Sequence, residues 1–257
     1  MTSPKRPDYG QDAPGVVRNL ALVAATGLIL FLSAAIGLWS GVVVGIPLAG
    51  LGLGFFVTCG TTAAAMVYSS KVGKVRDREK LLDLLPWRGD EHVLDVGCGR
   101  GLLLIGAAKR LTTGKAIGVD IWQTEDLSGN RPDATLENAR LEGVTDQVEV
   151  RTADMRELPF PDQSFDAIVS SRAVHNLYDA KDRKEALKEI AQVLKLDGRL
   201  LLQDIKHGGE YAAVLKAAGL SDFRRADNRA LSLLATVWTF GALRLFVLLA
   251  RKASGHA

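Results

Sequence analysis

Between positions 93 and 101 the chain reads Val-Leu-Asp-Val-Gly-Cys-Gly-Arg-Gly. Gly97, Gly99 and Gly101 permit a tight turn and let a ligand approach the backbone where side chains would block it. Val93, Leu94 and Val96 are β-formers in a short apolar run, which suits a buried strand with Asp95 inside its end. Residues 102–111 read as a helix. Strand, glycine turn and helix N-terminus thus stand in the order that a nucleotide-type ligand needs. Asp120 closes the next apolar run, 19 positions after Gly101. A carboxylate at the end of a second strand can accept both hydroxyls of a ribose. Ile121 and Trp122 follow and offer surfaces for an adenine face, a core tryptophan being the plainer alternative. Residues 171–176, Ser-Arg-Ala-Val-His-Asn, lie just after an expected strand at 167–170, on the carboxyl edge where doubly wound sheets bind ligands. His175 is the candidate general base there, because histidine titrates near neutrality. A hydrogen-bonded structural histidine is the competing reading. Arg172 and Asn176 are candidates to orient an acceptor.

Two readings compete for the glycine turn. A dinucleotide fingerprint, G-x-G-x-x-G, would put its third glycine at position 102, which is Leu102. The chain reads D-x-G-x-G-x-G, from Asp95 through Gly97, Cys98, Gly99 and Gly101, and this resembles motif I of the class I S-adenosylmethionine-dependent methyltransferases. The resemblance extends to Asp120, to Asp154-Met155, to the Leu-Pro-Phe…Phe-Asp run at 158–166, and to residues 165–176. It covers roughly residues 80–252 and is nearest to the small-molecule and lipid methyltransferases, quinone-biosynthesis enzymes among them. It implies S-adenosyl-L-methionine as cofactor, held by Asp95, Gly97, Cys98, Gly99, Gly101, Asp120, Ile121, Trp122, Asp154, Met155 and Ser171. Asp154 would meet the adenine amino group while Met155 packs on the ring. The implied fold is α/β, a Rossmann-like doubly wound seven-stranded sheet with its last strand antiparallel. Arg100, Lys74 and Arg78 are cationic candidates for the donor's carboxylate.

The elements that must position these residues follow a sharp division in composition. The 257 residues are 47% hydrophobic and 24% charged, yet residues 19–70 contain no Asp, Glu, Lys or Arg. Residues 19–38 are long enough as a helix to cross a bilayer, and 42–66 form a second such run around Pro47, joined through a turn at 39–41. Gly37, Gly41 and Gly45, and again Gly50 and Gly54, stand at the four-residue spacing that brings membrane helices together. A buried soluble hairpin and a cleavable signal peptide are the alternatives. Lys5, Arg6 and Arg18 precede the first run and Lys71, Lys74, Arg76, Arg78 and Lys80 follow the second. The positive-inside bias therefore predicts a membrane protein with two spans, both termini and the catalytic domain being cytoplasmic. Residues 1–18 are expected as a disordered cytoplasmic tail, 19–70 as a transmembrane hairpin and 71–257 as the methyltransferase domain.

Within that domain the pattern predicts a helix at 71–85, strands at 93–96, 115–120, 147–151, 167–170 and 200–204, and helices at 132–142, 182–194 and 209–218. A polar loop at 123–131 is a candidate border of the substrate entrance. Residues 196–199 are expected as a turn, and 223–228 with 243–251 as a closing antiparallel pair. The apolar stretch 231–241 reads as a lid, a membrane-dipping segment or a core helix. From residue 71 onward 29 basic residues face 27 acidic ones, which predicts no nucleic-acid partner. Two cysteines, with no C-x-x-C and no clustered histidine, suggest neither a disulfide framework nor a metal. The sequence thus predicts a membrane-anchored methyltransferase acting by in-line SN2 transfer on a small amphiphilic or lipid-like acceptor, a quinone precursor or isoprenoid. A membrane-bound protein methyltransferase and a non-catalytic cofactor-binding scaffold are the other readings. The oligomeric state is left open.

Overall fold

The structure, a computed structural model, describes residues 6–37, 42–226 and 245–254. It divides into two compact units. One comprises Asp8–Arg76 with Gln123–Asn130; the other is built from Asp77–Trp122 and Arg131–Ala257. The expected turn at 39–41 and the apolar stretch 231–241 lie outside the described residues.

In the first unit, α1 (Pro14–Ala35) and α2 (Val42–Tyr68) pack as a hairpin. The helices cross where glycine meets glycine. A Cβ on Gly27 would stand 2.6 Å from the Gly52 carbonyl oxygen, and one on Gly52 the same distance from that of Gly27. Gly50 and Gly54, singled out by their spacing, instead face open space. Four-residue spacing marks a helix stripe without saying which stripe meets the neighbour. The outer faces are apolar and exposed, with Ile29 at 66%, Ile36 at 74% and Ile46 at 65%. The first helix begins at Pro14, ahead of the expected residue 19, because proline suits an opening turn. Residues 8–13, expected to be disordered, are hydrogen-bonded to the loop 126–128 and to Lys74. No new helix starts at residue 71. A π-turn at Ser69–Gly73 joins α2 directly to α3 (Lys74–Leu82), making one helical run over Val44–Leu82.

The second unit is a seven-stranded sheet: β1 (His92–Val96), β2 (Lys115–Asp120), β3 (Val148–Thr152), β4 (Phe165–Ser171), β5 (Leu194–Asp204), β6 (Leu220–Arg225) and β7 (Phe246–Lys252). The order is β3-β2-β1-β4-β5-β7-β6, parallel from β3 to β5 and antiparallel at β7. The order reverses direction between β1 and β4, so their carboxyl ends form the crevice of a doubly wound sheet. Helices α4 (Leu102–Ala108), α5 (Pro132–Leu141), α6 (Ala180–Val193) and α7 (Gly208–Ala217) connect the strands. The core gathers Leu94, Val96, Ile168, Leu187, Ile190, Leu200 and Leu202, each fully buried. Helix α6 starts before the expected residue 182 because Asp179 accepts the Lys181 N–H as its N-cap. Helix α4 stops short of residue 111, where Arg110 and Leu111 tighten onto carbonyls three residues back. Strand β5 begins at Leu194, and the expected turn at 196–199 survives as an irregularity in it. Phe165 pairs Leu194 but Ala167 pairs Arg199, and Asp197 takes φ +61°. Lys252 at the end of β7 donates to the carbonyls of Ala191 and Leu194 at 2.7 and 2.9 Å, capping the last turn of α6.

Candidate active site

The glycine turn leaves β1 with Gly97, Gly99 and Gly101 at φ +70°, +54° and +83°. At Gly97 even a methyl group is excluded, since its Cβ would lie 2.3 Å from that of Ala173. The turn is held from below and from the side. Asp95, 2% exposed, accepts the Leu104 N–H at 2.8 Å in the first turn of α4. Burial pushes its carboxyl up to about 8, against the Leu104 hydrogen bond and with help from the nearby Asp120 charge. From α5, Thr135 Oγ1 donates to the Gly99 carbonyl at 2.7 Å and Asn138 Nδ2 to that of Arg100 at 3.0 Å. From β4, Ser170 Oγ donates to the Val96 carbonyl at 2.8 Å. The Cys98 sulfur lies within 2.8 Å of where a Cβ on Gly118 of β2 would be, and its S–H donates to the Gly99 carbonyl at 3.8 Å. Burial pushes this thiol up as well, so Cys98 serves the turn through its backbone rather than as a reactive group.

At the end of β2 the turn and Asp120 come together. Gly99 N–H donates to Asp120 Oδ2 at 2.8 Å and Trp122 N–H to Oδ1 at 2.6 Å. Asp120 thus stands at the carboxyl end of β2, the place from which a carboxylate meets ribose hydroxyls in doubly wound sheets. Trp122, at φ +63°, is pinned across to β3 by its indole N–H on Thr152 Oγ1 at 2.8 Å, and Ile121 is 48% exposed beside it. Asp154 is anchored by Arg156, whose guanidinium reaches Asp154 Oδ2 at 2.6 Å and Asp182 at 2.7 Å. The Arg156 hydrogen bond holds the Asp154 carboxyl below its ordinary range. Met155, half-buried, brings its methyl within 3.7 Å of where a Gly97 Cβ would be. A carboxylate for the ribose, apolar surfaces and an ionised acceptor for an amino group are what an adenosyl cofactor requires.

The carboxyl ends of β4 and β5 carry a second group. Ser171 Oγ donates to Gln203 at 2.8 Å, and Arg172 takes φ +54° with its N–H on the Gln203 carbonyl. His175, 18% exposed at its side chain, has Nδ1 2.6 Å from Oδ1 of the buried Asp204. That approach is too bent for an N–H···O bond, so it acts as an ion pair when the ring is protonated. Asp204 is fixed by the backbone N–H of His175 at 3.0 Å and of Ile205 at 2.8 Å, and by the Tyr211 hydroxyl at 3.3 Å. Burial first, and Asp204 next, push the Tyr211 phenol up, so it stays a donor. The His175 ring and the Asp204 carboxylate thus stand together at the carboxyl edge of the sheet, the place for a candidate general base.

Residues 94–202 match the family described as "Methyltransferase domain". The chain carries a class I S-adenosylmethionine-dependent methyltransferase domain. S-adenosyl-L-methionine is the cofactor of this domain. Over 143 residues, 55% of the chain, it is 32% identical to 27-O-demethylrifamycin SV methyltransferase of Amycolatopsis mediterranei, of which it covers 46%. Over 125 residues, 48% of the chain, it is 32% identical to demethylmenaquinone methyltransferase of Lactobacillus johnsonii, covering 47% of that protein. The chain thus spans less than half the length of these curated relatives. A crystal structure of geranyl diphosphate C-methyltransferase from Streptomyces coelicolor aligns over 69% of this chain and 76% of that one, with TM-score 0.56 and 18% identity, a likeness of fold.

Within the methyltransferase domain the structure brings Asp95, Gly97, Gly99, Gly101 and Asp120 together, and draws Met155 to Gly97. Two of the cationic candidates are committed elsewhere. Arg78 forms a two-pronged pair with Glu142 at 2.9 and 3.2 Å, and Lys74 binds residues 9–12. The sequence reading missed Thr135, Asn138, Asp204 and Tyr211. Asp204 carried a readable signal, an acidic residue closing a strand expected at 200–204. Thr135 and Asn138 lie on a helix face whose burial is set only by the fold.

Proposed function

We infer that this chain is a membrane-anchored methyltransferase that passes the methyl of S-adenosylmethionine to a small amphiphilic or lipid-like acceptor, such as a quinone precursor or isoprenoid, at the cytoplasmic leaflet. One observation carries the reading. The chain that bears the methyltransferase domain also bears two long helices, among whose outward side chains Leu22, Ile29, Ile36, Ile46 and Leu51 are at least half exposed. A soluble core helix buries such residues, whereas a bilayer is a solvent for them. The relatives named for a rifamycin precursor, demethylmenaquinone and geranyl diphosphate support a small, largely apolar acceptor.

The bound cofactor supplies a sulfonium methyl that is already electrophilic. The protein's part is to hold donor and acceptor in line, to exclude water and to take up a proton where the acceptor loses one. Asp120, Ile121, Trp122, Asp154 and Met155 would hold the adenosyl portion, and the glycine turn would let it approach the backbone. His175, set by Asp204, would receive the acceptor's proton on Nε2.

The test uses the full chain in lipid nanodiscs, with S-adenosylmethionine labelled in its methyl group and extracted membrane lipids as acceptors. Label should enter the organic phase. His175→Ala and Asp204→Asn should lower turnover by about 10²-fold or more, the usual worth of a positioned base, with cofactor affinity within about twofold of wild type. Label appearing in protein would favour a protein methyltransferase. Cofactor binding with no label transferred to lipid or protein would favour a non-catalytic cofactor-binding scaffold.

A further inference from the structure

We propose that Arg183 is a positioning residue for the general base, fastening the turn that bears His175 to the helix that braces Asp204; this rests on the reading of His175 as the base. Every group involved lies in the compact unit that contains the sheet. Arg183 stands one turn into α6, with its N–H on the Asp179 carbonyl at 3.1 Å, and only 5% of it is exposed. A buried guanidinium has N–H donors on three nitrogens to satisfy. Nη1 donates to the carbonyls of Leu177 and Tyr178, each at 2.9 Å. Nε and Nη2 grip the two Glu210 oxygens, each at 3.0 Å.

The two sides of this grip reach His175 by two short routes. Leu177 closes the 3₁₀ turn Val174–Asn176, its N–H on the Val174 carbonyl at 3.1 Å, so its own carbonyl marks the exit of the turn that carries His175. The entry of that turn is fixed from β5, by Arg172 N–H on the Gln203 carbonyl at 2.8 Å and His175 N–H on Asp204 at 3.0 Å. Arg183 therefore holds the end that β5 leaves. On the other side, Glu210 lies in the first turn of α7, one residue before the fully buried Tyr211. The Tyr211 hydroxyl meets the same Asp204 oxygen that accepts the His175 N–H, at 3.3 Å.

Stability alone gives a poor account of this arrangement. Helix N-termini favour anions, and this cation sits against the opening turns of both α6 and α7. A buried ion pair also returns little over an apolar pair of the same volume. What the guanidinium supplies instead is geometry, because a planar fork sets the distance and angle between its acceptors. A base is sensitive to that: a displacement of about 1 Å can cost about 10²-fold in rate.

The experiment is a double-mutant cycle of Arg183→Lys against His175→Ala, each as the full chain in nanodiscs, with methyl-labelled S-adenosylmethionine and extracted membrane lipids. Lysine keeps the charge but has no fork with which to join these acceptors. Arg183→Lys should lower turnover by about ten- to hundredfold, speed amide hydrogen exchange at residues 175–177 and leave cofactor affinity by calorimetry within about twofold of wild type. In the His175→Ala background it should change turnover by less than about threefold, because the group it positions is gone. Equal losses in both backgrounds, or a cofactor affinity that falls along with turnover, would reveal a merely structural role and overturn the proposal. Wild-type turnover in Arg183→Lys, or unchanged exchange at 175–177, would overturn it as well. If Arg183→Lys does not fold, Glu210→Gln enters the same cycle, since it removes the charge at the fork's partly exposed end, at 31%. Wild type that transfers no label, or His175→Ala at wild-type turnover, would instead sink the base reading itself, and the role of Arg183 with it.

Discussion

Replacing Asp95 by Asn should make the protein's stability less sensitive to alkali. Burial pushes the Asp95 carboxyl up to about 8 from an ordinary 3.8, so the folded chain keeps its proton at neutral pH while the unfolded chain has lost it. The folded state therefore binds more protons between pH 4 and 8, and stability falls as pH rises through that window. Below about 4 both states are protonated and above about 8 both are ionised, so the slope vanishes at either end. Each pH unit inside the window costs about 1.4 kcal/mol, giving a ceiling of about 6 kcal/mol over the whole interval. Asparagine is neutral throughout, and its carbonyl can still accept the Leu104 N–H. Thermal unfolding in detergent, followed by tryptophan fluorescence from pH 5 to 8.5, should show wild type losing several degrees that Asp95→Asn keeps, at about 2–4 °C per kcal/mol for a domain of this size. Parallel curves for the two proteins would refute the argument. They would mean that Asp95 is ionised in the folded chain and that the Leu104 N–H with the start of α4 suffices to hold its charge.

Gly97→Ala should abolish cofactor binding measurable by calorimetry and lower stability by about 2–3 kcal/mol, because its Cβ meets that of Ala173 at 2.3 Å in a backbone at φ +70°. In the hairpin, Gly27→Ala should separate α1 from α2 while Gly54→Ala, facing open space, should not; disulfide trapping between cysteines on the two helices reads the difference.

The fold was legible where a single local cause sets the structure. The glycine turn, the acidic ends of β1 and β2, and the apolar runs of β4 and β7 each show their role within a few residues. Element ends were less legible, because they depend on what packs outside them. Asp179 starts α6 early through its own side chain, but β5 begins at Leu194 because Phe165 of β4 pairs with it. The same holds in the site. Asp120 follows from its place at a strand end, whereas Thr135 and Asn138 reach the glycine turn from a helix more than 30 residues away in sequence. Glycine spacing misdirected the reading of the hairpin, since Gly50 and Gly54 share a stripe but Gly52 makes the contact. Nothing in residues 8–13 announces that a buried lysine some 60 positions later will order them.

The place of β7 between β5 and β6 has a consequence for biosynthesis. When a ribosome has released β6, that strand has no neighbour in the sheet, and β5 presents an open edge, until residues 246–252 emerge. Synthesis proceeds at about 5–20 residues per second, so the interval from Asp204 to Phe246 lasts on the order of 2–8 s. During it the apolar run Leu200–Leu202 lies along an unpaired edge, the kind of surface on which nascent chains aggregate. A premature stop just ahead of β7 would make that interval permanent. It should yield an insoluble product even though the glycine turn, Asp120 and the His175–Asp204 pair had all been synthesised.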